Sequence, residues 1–217
     1  MLVEFSSQYP KITPPAIATN LDIDVHRGNW EVALGYMSPN EIRIAYKLAD
    51  CARKIAPAVC NLPENKGKSG FVVVFTNRHN FFNLTFQVGT VTDPDDLYAP
   101  GGKLEKYCIF AGLKAQVLKN HPDFVSSSQD STLPETERLR SPAGQEIPAG
   151  AIAFGNLIVS VSAFKNANMD AATALAIAAG AGITNIDGAE KIAMDPKTKC
   201  KEFMINEDEI FVEPILH

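Results

Sequence analysis

The chain has 217 residues, of which 46% are hydrophobic and 21% charged, with a formal net charge of −5. That length buries a core of about 70% of the unfolded surface and suits one large domain or a medium domain with extensions. The acidic balance speaks against nucleic acid as a partner, since sequence-independent affinity needs clustered Lys and Arg. No run approaches about 18 uninterrupted apolar residues, so no membrane partner is expected either.

Residues 1–10 show no basic region followed by a long apolar stretch, so no secretory signal is expected. The four cysteines, Cys51, Cys60, Cys108 and Cys200, include no CxxC pair. Reduced thiols and a cytoplasmic location are the expectation. The sequon at Asn83-Leu84-Thr85 is then accidental.

Residues 1–37 read as an arm. Pro10, Pro14 and Pro15 block a helix, and Trp30, Val32, Leu34 and Tyr36 alternate as in a short strand. The arm would lie on the domain or on a neighbouring subunit. A helix follows. Ser38 is a cap, Pro39 suits the first helical position, and Glu41 stands three residues after the cap. Ile42, Ala45, Leu48, Ala49, Ala52 and Ile55 make an apolar face, and Pro57 is expected to fray or end the helix.

The run Phe-Val-Val-Val-Phe at 71–75 predicts a strand buried on both faces. After a turn at 77–80, residues 83–91 predict its antiparallel partner, with Leu84, Phe86 and Val88 on one face. Residues 93–102 are a loop. A second helix is predicted over 103–118, with Leu104, Tyr107, Cys108, Ala111, Ala115 and Leu118 on one side. Residues 125–150 read as a long loop, unusual in a compact domain and often functional or mobile.

Two further strands are predicted at 151–154 and 157–163, joined by Gly155-Asn156 as a two-residue turn. An alanine-rich helix follows, capped by Asn166 or Asn168, with Asp170 in its first turn and Gly180 and Gly182 at its end. Residues 200–205 and 209–216 read as a terminal hairpin. The organisation is therefore an arm at 1–37, a domain at 38–182 and an extension at 183–217. Paired neighbouring strands predict an α/β (α+β) fold, an antiparallel sheet flanked by helices.

Several constellations invite a chemical reading. Arg78 and His79 in the turn could contact an anion or ligate a metal, or be solvated turn residues. His121, past the second helix, is a second candidate ligand, or a cation suited to a helix end. Arg138 and Arg140 could clamp a carboxylate, or lie in a solvated loop with Glu135 and Glu137. Asp93, Asp95 and Asp96 could hold a hard cation, but the Gly and distal Glu of an EF-hand are missing. The glycines at 101–102 could offer amides to an anion. Cys108 lacks an activating base, and Ser160 and Ser162 lack a nucleophile elbow. No histidine pair has metal-like spacing.

The strand at 71–75, the helix with Ala111, Lys114 and Ala115, the segment 144–148, Gly155-Asn156, Ser162 and Asp170 fall in an order that resembles the GlcG and HbpS family, which also includes the C-terminal domain of PduO. The resemblance spans about residues 38–182. It implies a profilin-like sheet flanked by helices, and a small-molecule or cofactor-binding role, with haem as a possible ligand. The candidate ligand-binding residues are Arg78, His79, His121 and Arg138, and no metal site is expected. A homo-oligomer is expected. An enzyme acting on a small polar metabolite, and an assembly protein that uses its terminal arms, remain open alternatives.

Overall fold

A computed structural model describes residues 35–79, 82–91 and 102–198. In chain order the elements are helix α1 (Pro39–Cys60), strands β1 (Ser69–Asn77) and β2 (Asn83–Thr90), helix α2 (Gly102–Asn120), strands β3 (Ala151–Phe154) and β4 (Leu157–Ser162), and helices α3 (Ala167–Gly180) and α4 (Ile186–Met194). The four strands form one antiparallel sheet in the order β2-β1-β4-β3. The chain thus adopts the α+β class expected from its paired strands.

Side-chain alternation divides the core into two layers. Phe71, Val73 and Phe75 of β1, Leu84, Phe86 and Val88 of β2, and Val159 and Val161 of β4 pack with α1 and α3. Val72 and Val74 of β1, Ile158 of β4 and Ala151 and Ala153 of β3 point the other way, against Ala111, Ala115 and Leu118 of α2. β1 is central and covered on both sides, which is why its sequence is a continuous apolar run and not an alternating one.

α3 is buried at every position from Met169 to Ala178. It is enclosed by the sheet, α1 and α4, and a helix apolar all round belongs in such a place. Its alanines allow close approach to the sheet. α4 then packs on α3 through Ala189 and Ala193, so the core runs on past Gly182. The expected terminal hairpin, residues 30–34 of the expected strand and the acidic loop at 93–96 lie outside the described residues, while Gly35 and Tyr36 at the end of that strand are in a turn.

The start of α1 is built as its sequence implies. The Glu41 amide donates to Ser38 Oγ at 3.3 Å, and the Ser38 amide donates back to Glu41 Oε2 at 2.7 Å. Pro57 does not end the helix, which continues to Cys60. Pro57 is exposed, and it leaves the Arg53 carbonyl four residues back without its helical partner. The long loop is also more structured than expected, with 3₁₀ turns at Ser127–Thr132 and Glu135–Glu137.

Candidate functional site

Three separate segments meet at one end of the sheet: the end of β1, the β3–β4 turn and the C-terminus of α2. Gly155 adopts a φ of +60° in that turn, so Phe154 and Leu157 pair directly. The Arg78 amide extends the β1–β4 pairing by donating to Asn156 O at 2.8 Å.

The guanidinium of Arg78 turns inward and is spent on backbone carbonyls. Nε donates to Gly155 O at 3.0 Å, one terminal nitrogen donates to Leu118 O and His121 O, and the other donates to Phe124 O at 2.6 Å. Leu118 O is among the last carbonyls of α2, which lack partners inside the helix. Arg78 is therefore a C-terminal cap for α2 that also fastens the following turn to the β3–β4 hairpin. Desolvation lowers its pKa, with partial compensation from Asp123.

His79 is exposed, with its amide on Asn77 Oδ1 at 2.8 Å and Nε2 3.1 Å from Asn156 Oδ1. His121 is half-buried and lies flat on Phe124, with ring centroids 4.8 Å apart. Its ring nitrogens make no hydrogen bond among the described residues. Lys119, absent from the residues singled out by sequence, reaches Asn83 Oδ1 at 3.2 Å. It has no carboxylate partner among the described residues, and burial lowers its pKa. Arg78, His79, His121 and Lys119 thus share one end of the molecule.

Arg138 belongs to the long loop. Its Nε donates to Leu133 O at 2.8 Å, and a terminal nitrogen lies 3.6 Å from Glu146. Arg140 contacts Glu135 and Glu146, each at 3.2 Å. Both arginines cross-link their own loop. Buried Asp130 accepts the Leu139 amide. Burial raises the pKa of Asp130, and that amide, His121, Arg138 and Arg140 pull it back.

Ser160 Oγ donates to Ala111 O at 2.8 Å, as a core serine joining β4 to α2. Cys51, Cys60 and Cys108 are unpaired and half-buried, and burial raises each thiol, Cys60 to about 11. A thiol so poorly ionised at neutral pH is a weak nucleophile. Among the described residues no cluster of three or more His, Cys, Asp or Glu could hold a metal ion. No helix there is long and apolar enough to cross a membrane.

A haem ligand would need an imidazole with a free nitrogen facing an apolar slot. His79 is exposed with Nε2 next to Asn156, and His121 is covered on one ring face by Phe124. The exposed turn at His79 does not offer such a slot, whereas stacking one ring face of His121 on Phe124 leaves its in-plane nitrogens unblocked.

The strongest polar feature in the core lies elsewhere. Lys114 and Asp170 are fully buried and joined at 2.7 Å, linking α2 to α3. Lys114 Nζ also donates to Val161 O at 2.9 Å, and Asp170 Oδ1 accepts the amides of Ala163 and Phe164, each at 3.1 Å. Burial pushes the Asp170 carboxyl up, against the pull of Lys114 and the two amides. A sequence signal for this pair existed: Lys114 interrupts an apolar helical stripe between Ala111, Ala115 and Leu118. Comparison with protein-family models, with curated proteins and with solved structures found no match for this chain.

Proposed function

We propose that the chain is a small-molecule-binding protein of the GlcG and HbpS kind, and that its site is the end of the sheet carrying His79, Lys119 and His121. One observation supports this most directly. Lys119 is a half-buried cation with no carboxylate partner among the described residues, two positions from an imidazole whose nitrogens are unbonded there. A desolvated, unneutralised cation favours an anion more strongly than a solvated one does. The ligand class is therefore a small anion, a carboxylate or a phosphate. Arg78 positions this site without facing the ligand, because its donors are committed to α2 and the turns.

The test is thermal unfolding with millimolar citrate or inorganic phosphate, with hemin absorbance followed separately. A ligand at 100 times its Kd adds about 2.7 kcal/mol to stability and raises Tm. Citrate or phosphate should raise Tm in the wild type and fail to do so in Lys119→Ala and His121→Ala. No shift with either anion, or an equal shift in both variants, would reject the site. A Soret shift with hemin that His79→Ala or His121→Ala removes would replace the anion reading with haem binding.

A further inference from the structure

Strand β3 is two residues shorter than β4, and the difference leaves polar backbone at the end of β4. In an antiparallel pair, one residue directs its N–H and its C=O to the same neighbour. Val161 donates its N–H to Gly150 O at 2.8 Å, so the Val161 carbonyl and the Ala163 amide also face the β3 side. Beyond Ala151, β3 has no strand residue to meet them. Gly150, at a φ of +140°, has left the extended conformation.

We infer that Lys114 and Asp170 stand in for the missing end of β3 and form a latch that holds the end of the long loop and the start of α3 against β4. Lys114 Nζ supplies the donor for Val161 O that Gly150 would otherwise provide. Asp170 Oδ1 accepts the Ala163 amide, which a carbonyl at position 148 would otherwise take, and it also accepts the neighbouring Phe164 amide. The ion pair between them closes the substitute. Gly150 is part of the same device. A Cβ there would lie 2.6 Å from Lys114 Nζ, 2.8 Å from Val161 O and 2.9 Å from Asp170 Cβ.

The latch is separable from the sheet. β4 keeps its six-residue register with β1, from Val72–Ser162 to Asn77–Leu157, without any contribution from Lys114 or Asp170. Opening the pair frees the 163–164 amides and the 148–150 segment. The β1–β4 ladder stays paired, and unfolding of this kind is local.

Amide hydrogen exchange on the full chain tests this, comparing wild type, Lys114→Met and Gly150→Ala. The expected result is at least tenfold faster exchange at Ala163 and Phe164, and faster proteolytic cleavage between residues 141 and 150, with unchanged protection at Val73, Val74 and Phe75. Two results overturn the latch. One is unchanged exchange at 163–164 in both variants. The other is loss of protection through β1 together with 163–164, or failure of both variants to fold, which would make the pair a global element of the core.

Discussion

Replacing Arg78 with methionine removes four hydrogen bonds to Gly155, Leu118, His121 and Phe124 while keeping much of the side-chain stem. Bonds to a charged donor contribute about 1.5–3 kcal/mol each when the abandoned acceptor stays dry. Arg78 is only half-buried, so water re-solvates some of these carbonyls and about 1 kcal/mol per bond is the better figure. The expected loss is about 3–4 kcal/mol, or about 6–16 °C in Tm for a chain of this size. Urea unfolding followed by circular dichroism measures it. Arg78→Lys separates geometry from charge. A lysine has three donors on one nitrogen and cannot reach four carbonyls spread over two turns, so it should recover less than half of the loss. If Arg78→Met costs under about 0.5 kcal/mol, or Arg78→Lys is indistinguishable from wild type, the capping role is refuted.

Glu41→Gln should cost about 1–2 kcal/mol at pH 7, because it weakens the capping box and the 2.6 Å bond from Asn77 Nδ2 to Glu41 Oε1. Burial raises the Glu41 pKa, but the bonds from Ser38 and Asn77 outweigh it and hold the carboxyl below its usual value. A depressed folded-state pKa adds stability that is present above the unfolded pKa and lost as pH falls through the folded one. The gap between wild type and variant in urea midpoint should therefore shrink below about pH 4, and a gap that persists to pH 2.5 would contradict this. Thr173→Val should leave stability unchanged or raise it by about 1 kcal/mol, since the buried Thr173 hydroxyl has no hydrogen-bond partner among the described residues. A loss above about 1 kcal/mol on denaturant titration would mean that the hydroxyl is satisfied.

Local features were legible wherever the physics is local. The Ser38-Pro39 start of α1 needs only residues three apart, and the turn at Gly155 needs only a glycine that tolerates positive φ. The β-branched run of β1 announced a strand covered on both faces. Pro57 was misleading because its cost depends on what the orphaned carbonyl faces, and that is set by how α1 lies on the sheet. Arg78 and His79 were adjacent candidates with one reading in sequence, and the fold separates them. Arg78 turns to carbonyls 40 to 77 residues away, and His79 stays in the open. Lys119 was passed over because the absence of a carboxylate partner among the described residues is a property of the assembled end of the sheet.

The sequence by itself determined the class of the fold, the order of its elements from α1 to α3 and which faces are apolar, because hydrophobic period and turn chemistry act over a few residues, whereas helix α4 at Ile186–Met194 was missed. Only the tertiary structure decided where the polar groups of the core find partners. Lys114 and Asp170 are 56 residues apart and meet at 2.7 Å. A buried charge is tolerable only with a partner, and each of these two residues supplies the other's in the gap left by the short β3 and the turn at Gly150.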